Sequence, residues 1–223
     1  MHCIRNLLLL AVVFIGEISM AHGNIVACVG DSITFGHSIQ HPDKDAYPAV
    51  LQQLLGNEWR VKNYGANGAT AIKNTPELTP YIKRDVYPES LASSPSVVII
   101  MLGTNDSKPA FWNPGAYRRD LLSLINDYQS LPSSPRVYVA TPVTSHAELR
   151  TPWDVSEANL IDVRKILIDE IRKTTSAEVI TMAGMDRLLF VSDGVHPNEQ
   201  GATAIAHHIF SYLQNRLNTP SRQ

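Results

Sequence analysis

Val97-Val98-Ile99-Ile100-Met101-Leu102 is an unbroken apolar run, closed by Gly103-Thr104-Asn105-Asp106. A run without polar alternation reads as a strand buried on both faces, as in a parallel sheet covered by helices on each side. Similar, shorter runs lie on either side of it. Ile25 to Val29 is rich in β-formers and stops at Gly30, and Trp59 to Asn63 is a weaker second. Val137 to Ala140 and Val179 to Thr181 follow toward the C-terminus. Between them fall segments with apolar residues at three- and four-residue spacing, the mark of a helix with one buried face. These are Ala46 to Leu55, Ala116 to Tyr128, Glu157 to Lys173 (Ile161, Ile168 and Ile171, opened by Ser156 as an N-cap) and Glu199 to Leu213. Strand and helix thus alternate along the chain, which predicts an α/β fold with a parallel sheet.

The chain has 223 residues, a size that suits one domain with a full core. Apolar residues make up 44% and charged residues 18%, an ordinary balance for a globular protein. No basic patch stands out against the formal charge of −2, so nucleic acid is not an expected partner. Residues 1–23 differ from the rest. Arg5 precedes the apolar run Leu7 to Ile15, and Ala21-His22-Gly23 puts small residues at the −3 and −1 positions of a cleavage site. That is the layout of a secretory signal peptide, too short in its apolar part for a membrane span of about 20 residues. The reading is a leader at 1–23, one domain at 24–218 and a tail at 219–223, in a secreted or periplasmic protein without a membrane span. Cys3 would leave with the leader, so Cys28 has no expected disulfide partner. Ile25-Val26-Ala27-Cys28 also looks like a lipoprotein cleavage box, but lipidation there would remove the first strand, and a small buried strand cysteine is the simpler reading.

Ligands of open α/β sheets bind beyond the carboxyl ends of the strands. Four polar turns meet there: Gly30-Asp31-Ser32-Ile33, Asn63 to Thr70, Gly103-Thr104-Asn105-Asp106 and Asp193-Gly194-Val195-His196-Pro197. Together they supply the parts of an acyl-transfer site. A serine hydroxyl needs a base to become a nucleophile, a neutral histidine suits that task, and an aspartate can orient the imidazole. Ser32, His196 and Asp193 are the candidates. The Ser32 and Gly68 backbone N–H groups and the Asn105 amide are candidate donors to a tetrahedral oxyanion. Asp31 and Asp106 are rival orienting acids, and Asp193 is preferred because it shares a loop with His196. Gly65 is the rival to Gly68.

The four blocks resemble those of the SGNH hydrolases, also called the GDSL esterase/lipase family. GDSI at Gly30 to Ile33 has Ile33 where leucine is usual. N-x-G-x-x-G-x-T runs from Asn63 to Thr70, GTND from Gly103 to Asp106, and DGVHP from Asp193 to Pro197. The resemblance implies a flavodoxin-like three-layer α/β/α sandwich, five parallel strands in the order 2-1-3-4-5, and no metal or cofactor. It implies a serine esterase working through an acyl-enzyme. Within the family the segment Gly103 to Pro109, with Trp112, is similar to sialate O-acetylesterase-like and acetylxylan esterase-like members, so removal of a small acyl group, acetyl first, from a carbohydrate is expected.

Other residues weigh on the substrate. Asp31, Lys108 and Trp112 are candidate substrate-binding residues: a lysine can meet an acidic sugar, and a tryptophan can stack on a sugar ring. Trp153 could stack in the same way or pack in a lid. His37 and His41 lie in the loop after Ser32, where they could line the pocket mouth, and they read first as solvated loop residues. His207 and His208 are adjacent on a helix and make a poor metal pair, and no HExxH or Cys/His cluster is present. The competing activities are lipase-like or thioesterase action on longer acyl chains, disfavoured by the absence of GxSxG and of a long apolar insertion, and a non-catalytic carbohydrate-binding module.

Overall fold

The five runs read as strands between Ile25 and Thr181 are strands in the structure, a computed structural model that describes residues 24–75, 79–146, 153–182 and 184–217. The expected leader at 1–23 and the tail at 219–223 lie outside the described residues. The strands β1 (Asn24–Gly30), β2 (Trp59–Gly65), β3 (Val97–Met101), β4 (Arg136–Ala140) and β5 (Glu178–Ile180) form one parallel sheet in the order β2-β1-β3-β4-β5. The helices are α1 (Ser32–Phe35), α2 (Pro42–Asp45), α3 (Tyr47–Leu55), α4 (Val86–Ala92), α5 (Pro114–Gln129), α6 (Glu157–Ile166), α7 (Arg172–Thr174) and α8 (Glu199–Leu217). This is the flavodoxin-like sandwich and the strand order that the four blocks imply.

Successive strand residues leave the sheet on opposite faces, and both faces are covered. Ala27 and Val29 of β1, with Val98 and Ile100 of β3, pack into one core with Leu121, Leu124 and Ile125 of α5 and with Val163 of α6. Val26, Cys28, Val97 and Ile99 point the other way, into a second core with Leu51 of α3 and Ile205 and Ile209 of α8. β3 is buried at every residue, as its lack of polar alternation requires. Cys28 is likewise completely buried and unpaired, which fits the strand reading of that position.

Two departures from the sequence reading have physical causes. The long helix at Glu157 is not uniform: α6 passes through a π turn at Leu167–Ile171 into α7. The buried residues are Leu160, Val163, Ile166, Leu167 and Ile171, while Ile161 is 45% exposed. The stripe is therefore one position away from where Ile161 would set it. Helix α5 starts earlier than its apolar periodicity, because the Asn113 side chain caps Ala116 N–H at 2.9 Å and Pro114 opens the first turn. The stretch Ala71 to Ser96, polar in composition, carries the short helix α4 and packs back on the body. Tyr81 is buried and its hydroxyl donates to the Tyr64 carbonyl at 2.8 Å.

The strand order reverses between β1 and β3, so the crevice opens at their carboxyl ends. Gly30 and Gly65 are neighbours in the β1–β2 register there. A Cβ on Gly65 would lie 2.1 Å from the Phe35 backbone nitrogen, and one on Gly30 would lie 2.0 Å from Thr34 Oγ1. Helix α1 thus lies directly on two side-chain-free strand ends. Gly65→Ala should lower stability by about 1–3 kcal/mol, the usual cost of overpacking, because the neighbour that must move is main chain of α1. Gly115→Ala, whose new methyl meets only Asn113 Oδ1 at an ordinary 3.6 Å, should be neutral or slightly stabilising. Chemical denaturation of the two variants tests the contrast; equal midpoints would refute it.

Candidate active site

Ser32 is the first residue of α1. The Asp31 side chain caps this short helix, accepting Ile33 N–H at 2.9 Å. At the other end of the chain, the Asp193 to Pro197 turn follows the strand region of β5 and is pinned by Val191 N–H to the His196 carbonyl at 2.9 Å. Gly194 adopts φ +72°, a left-handed conformation open to glycine at no steric cost. These two loops bring Ser32 and His196 together across 164 residues: Oγ lies 2.9 Å from Nε2. His196 Nδ1 lies 2.6 Å from Asp193 Oδ2. With Asp193 ionised, Nδ1–H donates to it and Nε2 is left to accept the serine proton.

Asp193 does two jobs at once. Its Oδ1 accepts the backbone N–H groups of Val195 at 2.8 Å and His196 at 2.9 Å, while Oδ2 orients the ring. One carboxylate thus fastens the turn and meets the ring at the same time. Burial is the largest single influence on the Asp193 carboxyl and pushes its pKa up, but the imidazole and the two N–H donors together hold it below the usual value. His196 is lowered from 6.5. Desolvation is the main cause, the Asp193 carboxylate opposes it, and the nearby His37 and Lys108 charges add to the lowering. A base with a depressed pKa is mostly neutral at pH 7, ready to take a proton.

The oxyanion candidates gather on the same side. Gly68 adopts φ +76°, and a Cβ there would meet nothing within 4 Å, so its main chain faces open space. Asn105 donates one amide N–H to the Ala69 carbonyl at 3.1 Å, which orients the group and leaves the second N–H available. Ser32, Gly68, Asn105 and His196 line one cavity of about 70 Å³. Gly65 is instead the close-packing glycine beneath α1.

Two of the expected substrate contacts, Asp31 and Trp112, fall elsewhere in the structure. Asp31 is buried beneath α1, where it serves as the helix cap and lines no part of the cavity. Burial pushes its carboxyl up to about 6, against the Ile33 N–H, the Thr104 hydroxyl and the Lys108 charge. Trp112 packs on the core beside Tyr117, ring centroids 5.8 Å apart, and is absent from the cavity wall, so the expectation of a sugar-stacking ring there is corrected. The rival acid Asp106 is fully buried as well, accepting Ala71 N–H at 3.1 Å and Ile72 N–H at 2.8 Å. Burial first, and the Asp31 charge after it, raise it to about 7. It ties the insertion after Thr70 to the β3 turn and makes no hydrogen bond to His196. Lys108 does line the cavity, half-buried, with desolvation lowering its pKa against the pull of Asp154 and Asp31.

His37 and Trp153 join the wall. The His37 ring lies 4.5 Å from the His196 ring, and Trp153 meets both edge-on, at 5.6 Å and 5.4 Å. His37 reaches the cavity because the chain doubles back after α1: Gly36 is left-handed at φ +91°, and Gly36 and His37 both donate to the Ser32 carbonyl. The glycine four residues after the nucleophile is the one sequence sign of that reversal. Asn67, Thr104, Val155 and Val195 complete the lining. His41 starts α2 in solvent, His207 is exposed, and His208 donates to the Thr181 carbonyl at 2.9 Å.

The chain matches the GDSL-like lipase/acylhydrolase family over residues 28–204, which contain all four blocks. It belongs to that family. An acetylxylan esterase of Xylanibacter ruminicola is 32% identical over an alignment covering 85% of this chain and 43% of that protein, so this chain spans less than half of its relative's length. Among solved structures, a carbohydrate acetylesterase from Sinorhizobium meliloti superposes with a TM-score of 0.71 at 21% identity, covering 86% of this chain and 99% of that one. The aryl esterase of M. smegmatis gives 0.70 at 20% identity, again over 86% and 99%. At those identities the likeness speaks for the fold.

Charge beside His196 bears on where its imidazole titrates. Lys108→Met removes a positive charge that lowers the His196 pKa, so the acid limb of kcat/KM against pH should move to higher pH, by about half a unit for one screened charge. In the unaltered protein the limb should lie below pH 6.5, since the shift of His196 is downward. A limb that stays in place in the variant, or moves to lower pH, would show that Lys108 does not bias the base.

Proposed function

We propose that this protein is a serine esterase that removes acetyl groups from carbohydrates, with Ser32, His196 and Asp193 as its triad. The carrying observation is the hydrogen-bond chain Ser32–His196–Asp193, at 2.9 Å and 2.6 Å, on the wall of a small cavity. Ser32 Oγ attacks the ester carbonyl carbon while His196 Nε2 takes its proton. The oxyanion is received by the Ser32 and Gly68 N–H groups and the Asn105 amide. The tetrahedral intermediate collapses, the C–O bond to the sugar breaks, and the imidazolium returns its proton to the leaving oxygen. Water then repeats the sequence on the acyl-serine, and His196 delivers its proton back to Ser32 as acetate leaves. Asp193 stays ionised and stabilises the imidazolium in both halves.

Size supports the short acyl group. The cavity, about 70 Å³ with Val155, Val195 and Trp153 in its wall, is far below the roughly 300–1,000 Å³ of sites that engulf drug-sized ligands. The acetylxylan esterase relative supports the carbohydrate. The leader at 1–23 fits delivery outside the cytoplasm, and among the described residues no helix is long and apolar enough to cross a membrane.

Ser32→Ala should abolish hydrolysis of p-nitrophenyl acetate while leaving the unfolding midpoint nearly unchanged. Asn105→Ala should lower kcat by about 10²–10³ with little change in KM, the signature of a donor used once the oxyanion forms. Along a p-nitrophenyl ester series, acetate should be preferred and kcat/KM should fall steeply by butyrate or hexanoate. A preference for octanoate would reverse the acetyl assignment in favour of the longer-chain reading, and a Ser32→Ala variant with more than a few per cent of the original turnover would remove the nucleophile.

A further inference from the structure

Phe35 ends the helix that Ser32 begins, one turn away, and it is 43% exposed. It borders a second, much larger depression of about 550 Å³ at the β2 edge of the sheet. Phe35, Val61 and Val86 give that groove apolar surface, and Asp43, Lys44 and Gln53 give it polar groups of both signs. The two depressions are built on the same elements. Ser32 and Phe35 both belong to α1, and Gly68 of the first lies three residues beyond Gly65 of the second. The small cavity accommodates the acyl group and the reacting carbonyl, but leaves a polymeric substrate to lie outside it.

We infer that the groove beside Phe35 binds the polysaccharide chain flanking the acetylated residue, with the Phe35 ring as the platform for a sugar face. The inference rests on the proposed acetylesterase activity and adds that the substrate is a polymer. A pyranose presents an apolar C–H face and a rim of hydroxyls. An exposed aromatic suits the first, while Gln53 and the charged pair Asp43 and Lys44 suit the second. The mixed signs favour a neutral, hydroxyl-rich ligand over an anion. The Phe35 carbonyl accepts from Asn63 Nδ2 at 3.3 Å, so the platform is tied to the end of β2, and binding there sets the position of the chain relative to the nucleophile turn.

Two measurements test this, one of which needs no turnover. Phe35→Ala should lower kcat/KM on polymeric acetylated xylan about tenfold more than it lowers kcat/KM on p-nitrophenyl acetate, the value of one ring's apolar burial. Gln53→Ala, remote from α1, should shift the same ratio in the same direction. In affinity electrophoresis through deacetylated xylan the unaltered protein should be retarded and Phe35→Ala should not. Equal losses on polymer and small ester, or no retardation of the unaltered protein, would overturn the groove. So would gel filtration showing a dimer that Phe35→Ala dissociates, since a second copy would then occupy it. A protein that is retarded but cleaves no ester would count against the esterase reading and leave the groove standing.

Discussion

The approach of the α1 backbone to the ends of β1 and β2 is the constraint on which the site depends. A helix laid across strand ends normally stands off by the width of a side chain. Here Gly30 and Gly65, neighbours in register, remove that layer, and Thr34 and the main chain of Phe35 fill it. Ser32 is thereby held at the sheet's switch point, beside Asn105 from the turn after β3 and within reach of His196. Ser32 is placed largely by close packing against backbone, which is stiffer than a hold through a long flexible side chain.

The carboxylates near the site divide by environment. Asp193 is only partly buried and is hydrogen-bonded through both oxygens, so it stays ionised and keeps the imidazole oriented. Asp31 and Asp106 are completely buried and raised to about 6 and about 7, and they accept from backbone donors that shape the turns. Acids of one kind, close in the fold, thus become an orienting group in one case and loop fasteners in the others. The tertiary partners of each decide which.

Much of this was legible in the sequence because it is encoded locally. Val97 to Leu102 shows a doubly buried strand in its own composition, and the four polar turns carry glycines and the candidate site residues at fixed spacing. The strand order followed from the resemblance those turns support. What stayed hidden is non-local. The phase of α6 could not be read from Ile161. Leu160 and Ile161 are adjacent and both apolar, and packing buries the first while leaving the second 45% exposed. Trp112 and Trp153 are indistinguishable by residue type, and only the path of the loops puts Trp153 at the cavity and Trp112 on the core. His37 belongs to the site through a left-handed reversal whose direction the sequence does not state.

Cys28 sits in β1, between β2 and β3, fully enclosed, and burial pushes its thiol up to about 12. A thiol that stays protonated and out of solvent does not react with electrophiles or oxidants. Among the described residues it is the one cysteine. Among the described residues the cohesion of the fold therefore owes nothing to a disulfide. The same enclosure makes Cys28 a built-in clock: its labelling by a thiol reagent waits for the central strand to open, and so records excursions of the whole sheet and none of the surface loops.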